Sequence, residues 1–208
     1  MTSSKPIITE LRPNEKDPAK RDLFVDDAFY ITLPLELVLQ QDLYVGAPFG
    51  DAEVEALTLA AELIPAREKA YQYLGYGDLS RKKLYEKLTR FGIRPEVAEA
   101  ACDGMEERGF LDDHRLAKSM AERFAEGKHW GPRRILPELL QRGIPMELAR
   151  EAVEGLETDF SDSVRYHLTT KYRGYDLTDR KVRQKVVQGL LRLGFDYDMI
   201  RLDEEYDD

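Results

Sequence analysis

Pairs of apolar residues four apart recur along this chain with a period of 51 residues: Leu84 and Leu88, Ile135 and Leu139, Val186 and Leu190. Residues four apart share one side of a helix, so each pair predicts a buried helical face. Four positions beyond each pair stands a glycine (Gly92, Gly143, Gly194), which can close a helix in the left-handed conformation at no Cβ cost. An apolar residue follows (Ile93, Ile144, Phe195), then a short polar step. Val97 and Ala98, Leu148 and Ala149, and Met199 and Ile200 then predict a further amphipathic helix in each copy. This ungapped recurrence marks a tandem helical array, in which each unit buries its apolar face partly against a neighbour.

The stretch before the array has a different pattern. Ile7–Leu11, Asp22–Val25 and Ala28–Leu33 are short and rich in β-branched and aromatic residues, as strands are. Asp26-Asp27 fits a two-residue hairpin turn, and Asn14–Arg21 reads as a polar loop. A short helix is expected over Leu35–Gln40. From Asp51, a candidate cap, the pattern turns helical through Val54, Leu57, Ala61 and Ile64, and Pro65 should break or kink that helix. Ala66–Leu74 opens the first repeat, with Ser80 as N-cap of its central helix. Pro137 falls inside the central helix of repeat two, at the place of Glu86, and predicts a kink or a late start. Repeat three should begin with a helix over Ser161–Tyr172 and use Thr178 to cap a central helix facing inward through Val182, Val186, Leu190 and Leu193.

The expected fold is therefore mainly α, with a small strand-containing N-terminal region. Its parts are a strand and hairpin region (1–50), a linking helix (51–65), and repeats at 66–109, 110–157 and 158–208, the last with an acidic tail.

Charge alters this picture by its distribution. The net charge of −9 argues against a protein that simply coats nucleic acid. Residues 1–65 carry 12 acidic and 5 basic side chains, residues 66–157 carry 17 of each, and residues 158–208 carry 11 acidic and 9 basic. No apolar run is long enough for a membrane span, and Met1–Pro6 lacks the apolar stretch of a signal peptide. With a single cysteine the chain fits a reducing compartment, and a cytoplasmic location is expected.

Candidate chemistry is sparse. The sequence has no GxGxxG, Walker loop, HExxH or CxxC, so neither an enzyme nor a metal or cofactor site is expected. Cys102 reads as a small buried hydrophobe rather than a reactive thiol. Asp112 and Asp113 read as helix-capping carboxylates rather than metal ligands with His114. His114, His129 and His167 fall in polar helix ends or loops, and Trp130, aligned with Leu79, reads as a packing residue. What remains is a binding surface. Lys83, Arg134 and Lys185 hold one place in all three copies, just before the buried apolar residue, and Lys82 matches Arg133. These five form the candidate partner-binding set. A basic residue at a helix start is slightly unfavourable with the helix dipole, so its recurrence points to a basic ridge that meets an acidic surface or phosphates.

Three stretches resemble the RecX family of regulators of the RecA recombinase. They are Leu79-Ser80-Arg81-Lys82-Lys83-Leu84 with Gly92-Ile93, Gly109-Phe110-Leu111-Asp112-Asp113, and Trp130-Gly131-Pro132-Arg133-Arg134-Ile135 ending at Gly143-Ile144. The resemblance implies three-helix repeats in a curved, elongated array. It also implies a non-enzymatic monomer without cofactors that binds the RecA nucleoprotein filament, within its groove. Filament extension, ATP hydrolysis and strand exchange would be restrained, and recombinational repair and the SOS response regulated. Pro137, the net acidity and the acidic tail depart from the pattern. The rival readings are a direct DNA-binding helical protein, since two helices about a glycine turn resemble a helix-turn-helix, and a plain repeat scaffold.

Overall fold

A computed structural model describes residues 6–200 and Leu202; the acidic tail from Asp203 lies outside the described residues. The chain forms two compact units. One holds the chain through Gln72 together with Leu88–Gly104, and the other holds Tyr73–Lys87 and the chain from Met105.

The first unit begins with an antiparallel sheet of β1 (Ile8–Pro13), β2 (Lys20–Val25) and β3 (Ala28–Pro34) in that order. Asp26 and Asp27 join β2 to β3 with φ of +46° and +65°. Two consecutive left-handed residues are what the type I′ hairpin turn requires, and aspartate tolerates that region better than most side chains. Ile8, Leu23 and Leu33 are fully buried on one face of the sheet, in a core shared with Leu37 and Val38 of α1 (Leu35–Gln40), with Phe49, and with Leu57 of α2 (Asp51–Gly75).

Helix α2 corrects two expectations. It starts at Asp51, so Asp51 is not its cap; Glu53 instead reaches back to the Gly50 N–H at 2.9 Å, half of a capping box. It also runs through Pro65 as one helix of 25 residues. The proline removes one donor from the ladder, and the continuing bonds on both sides, with Ala66 and Ala70 buried, hold the helix together.

Among the described residues seven helices follow α2: α3 (Arg81–Arg90), α4 (Pro95–Glu107), α5 (Asp113–Lys128), α6 (Pro132–Gln141), α7 (Met146–Glu154), α8 (Phe160–Thr169) and α9 (Arg180–Arg192). Helices α3, α6 and α9 are the expected central helices. Each ends in the same Schellman turn. The N–H groups of Ile93, Ile144 and Phe195 bond the carbonyls of Leu88, Leu139 and Leu190 at 3.2, 3.2 and 3.3 Å. Those of Gly92, Gly143 and Gly194 bond Thr89, Leu140 and Leu191 at 3.0, 2.9 and 3.0 Å. The glycines take φ of +101°, +85° and +94°, so the period in the sequence is a period in backbone conformation.

The differences from expectation are local. Helix α6 starts on time at Pro132, in the first helical position that proline favours, and continues through Pro137, which is exposed. The cap of α9 is Asp179, whose Oδ1 accepts from the Lys181 and Val182 N–H groups, while Thr178 bonds Asp176. After Gly194, the described chain makes one 3₁₀ turn, Tyr197–Met199, in place of an amphipathic α-helix. Within the second unit, Ile135, Leu139, Ile144 and Ala149 pack with Met120, Phe124 and their neighbours on α5, and Val164, Val186, Leu190 and Phe195 form a second core.

Candidate functional site

The candidate basic residues stand beside two joints between successive repeats, and both joints lie inside the second unit. At the first, Ser80 caps α3 by accepting the Lys83 N–H at 3.2 Å and donates its own hydroxyl hydrogen to the Arg142 carbonyl at 2.8 Å. The Arg81 N–H, another orphan donor of that helix start, bonds Asp113 Oδ1 at 2.9 Å. A Cβ on Gly143 would come within 2.6 Å of Ser80 Oγ and 3.3 Å of the Lys82 Cβ and Lys83 Cγ atoms.

At the second, 51 residues on, the Gly131 N–H bonds the Leu193 carbonyl at 2.8 Å and the Arg133 N–H bonds the Gly194 carbonyl at 3.1 Å. Here backbone meets backbone. A Cβ on Gly131 would lie 2.3 Å from the Gly194 carbonyl carbon, and one on Gly194 would lie 2.4 Å from the Arg134 nitrogen. In both joints the first turn of one central helix docks on the glycine turn that ends the next. At the second joint backbone N–H donors of the helix start meet carbonyls of the helix end, at the first the Ser80 hydroxyl does so, and in both the positive end of one dipole faces the negative end of the other.

This arrangement supplies a structural reason for part of the basic pattern. Lys82 and Lys83 sit beside the carbonyl-rich end of α6, and Arg133 and Arg134 beside that of α9, where positive charge is favourable. Lys83 also pairs with Glu86 at 2.8 Å, Arg133 pairs with Asp196, and Arg134 lies 3.9 Å over the Trp130 ring, itself stacked on Phe124. Lys185 has no such joint beside it among the described residues, and its Nζ lies 5.7 Å from the Tyr175 ring. Lys82, Arg133 and Lys185 are exposed, and Lys83 and Arg134 partly so. Trp130 is a packing residue, Cys102 is fully buried, and Asp112 caps α5 through the Arg115 N–H.

Spacing within one repeat could not reveal the partners in these joints: Asp113, Arg142, Leu193 and Asp196. Asp113 was expected to cap a helix, and it does, but the helix is α3, 32 residues upstream. Its burial raises its pKa above the usual aspartate value. His167 corrects the expectation of a polar helix end. It is buried in α8, with Nε2 2.8 Å from the His129 carbonyl, and the His129 ring stacks on Tyr166.

Burial holds the His167 pKa below its ordinary value, with His129, Lys171 and Arg134 adding repulsion. Its neutral form is therefore the one that suits the fold. Below about pH 6.5 the unfolded chain takes up a proton that the folded chain refuses, so this contribution is present above that pH and is lost as pH falls. Asp159 and Asp176, held below the usual carboxylate value by hydrogen bonds to Ser161 and Thr178, lose theirs only further down. We expect urea midpoints of the wild-type protein to fall between pH 7 and pH 5.5, and those of His167→Gln to fall less. Equal declines would remove His167 as the cause.

Among the described residues, no group of three or more His, Cys, Asp or Glu could hold a metal ion, and no helix is long and apolar enough to cross a membrane. The fold and its joints thus define a class: a tandem array of three-helix units, in which the first two central helices each start on the glycine turn of the next. Family models for the first, second and third three-helix domains of RecX match residues 66–103, 112–153 and 157–202. Regulatory protein RecX of Clostridioides difficile (strain 630) is 29% identical over 197 residues, covering 94% of this chain and 92% of that protein. Regulatory protein RecX of Xanthomonas axonopodis pv. citri is 33% identical over 128 residues, 62% of this chain and 78% of that protein. A crystal structure of regulatory protein RecX shares the fold with a TM-score of 0.69 at 21% identity, covering 93% of this chain and 96% of that one. The RecX structure from Lactobacillus salivarius gives a TM-score of 0.60 at 24% identity, over 67% and 92% of the two chains. The chain belongs to the RecX family of regulatory proteins.

Proposed function

We propose that this protein binds the RecA–DNA filament, within its groove, and restrains filament extension, ATP hydrolysis and strand exchange, so regulating recombinational repair and the SOS response. It acts in the cytoplasm, without a cofactor and without chemistry of its own. The observation that carries this reading is that Lys82, Lys83, Arg133, Arg134 and Lys185 all belong to one compact unit, in which two like joints hold the first two pairs in register. Several weak electrostatic contacts on one body, matched to repeating subunits, add up to useful avidity.

The DNA-dependent ATPase of the cognate RecA, with this protein titrated in below stoichiometric amounts, tests the reading. Suppression is expected, and the double reversal Lys82→Glu/Lys185→Glu should need about tenfold more protein, equivalent to about 1.4 kcal/mol of lost contact. Those two residues take no part in the joint hydrogen bonds, so the variant should keep its fold. An unchanged ATPase, together with salt-sensitive binding to bare DNA, would favour direct DNA binding instead.

A further inference from the structure

The joint has two filled copies and one open one. Repeat one ends its central helix in the same Schellman turn, Phe91-Gly92-Ile93, yet among the described residues nothing lies within 4 Å of a Cβ placed on Gly92. The turn lines a cleft with Glu62, Pro65, Ala66, Arg94 and Val97, all within the first unit. Counting back 51 residues from the first joint places Glu62 where Asp113 stands and Phe91 where Arg142 stands. The open turn therefore has a carboxylate at the position that accepts the Arg81 N–H, and a helix-ending carbonyl at the position that accepts from Ser80. Phe91 is 61% exposed beside it, with Lys69 Nζ 4.3 Å from its ring.

We infer that the Phe91–Gly92–Ile93 cleft is an open copy of the repeat joint, which receives the first turn of a helix from a partner protein. The two filled copies define the chemistry of the occupant. Its N-cap is small, a glycine or a residue whose hydroxyl can donate, as Gly131 and Ser80 are, and basic residues follow in the first turn. Charge agrees, because the Glu62 carboxylate lines the cleft, paired with Arg94 at 2.7 Å, and Glu55 and Glu96 also act on Arg94. The chain's own remaining helix start of this type, α9, does not fit. Its cap is Asp179, a carboxylate that accepts only and would face the helix-ending carbonyl of Phe91. The occupant is therefore another protein rather than a second copy, and the identity of that protein rests on the filament reading above.

The test replaces Phe91 with the photo-crosslinking residue p-benzoylphenylalanine in the full chain and irradiates it with purified RecA on single-stranded DNA. The same sample is assayed for ATPase. The expected result is a crosslink mapped to the first turn of a RecA helix, reduced about tenfold by Glu62→Lys, which reverses the charge at that position. A crosslink to another copy of this chain, a crosslink to a RecA strand or loop, or none at all would overturn the inference. The ATPase separates the two ideas. Suppression without a crosslink removes the cleft and keeps the regulation, whereas a mapped helix crosslink without suppression keeps the cleft and removes the regulation.

Discussion

Gly131→Ala is expected to destabilise the second and third repeats by about 2–4 kcal/mol, the sum of overpacking and of backbone donors left unpaired. Gly131 has φ −80° and ψ 163°, extended backbone that alanine adopts freely, so no conformational term enters. The effect is contact alone. The added Cβ would lie 2.3 Å from the Gly194 carbonyl carbon and oxygen and 2.5 Å from the Phe195 nitrogen. All three are backbone atoms of a hydrogen-bonded turn and cannot swing aside as a flexible side chain would. The joint must open, and the bonds from Gly131 to Leu193 and from Arg133 to Gly194 go with it. Urea unfolding followed by circular dichroism measures the loss, with Gly127→Ala as the control. Gly127 lies inside α5 with no described atom within 4 Å of an added Cβ, so that change should stabilise by up to about 1 kcal/mol. If Gly131→Ala proved as harmless as the control, the backbone-to-backbone joint would be refuted.

Leu139→Ala should cost about 3–4 kcal/mol, within the range for leucine truncated in a well-packed core. Leu139 is fully buried, and its cluster joins three helices through Met120, Phe124, Ile135 and Ala149. The Leu139 carbonyl also accepts the Ile144 N–H that closes the Schellman turn, so a cavity here loosens the support of the Gly143 joint. Met146→Ala, at a position 38% exposed, should cost well under half as much. A Leu139→Ala loss no larger than that of Met146→Ala, by the same unfolding measurement, would mean that this core is not packed as described.

Much of the fold was legible because it is local. Glycine four residues after an apolar pair produced three like turns, Asp26-Asp27 produced a hairpin, and Ser80 and Asp112 capped the helices they precede. Local rules failed where a neighbour could override them. Pro65 predicted a break or a kink, and the ladder on both sides carries α2 past it without a break. His167 looked like a solvated helix end, but the packing of α8 buries it. The basic ridge was legible as a repeated charge, while its relation to the joints was not, because the residues that meet there are 62 apart in the first joint and belong to different repeats.

By itself, the sequence determined the unit: an apolar pair, a glycine, and a basic start, written three times at one period, in a chain of the RecX family. Helix faces and helix-ending turns depend on residues within about one turn of each other, so spacing alone encodes them. Only the tertiary structure decided how units join. A helix start has orphan donors and a helix end has orphan acceptors, and many pairings could satisfy them. Close approach selects one pairing, permitted at Gly131, Gly143 and Gly194 because no Cβ stands in the way, and it leaves the turn at Gly92 open.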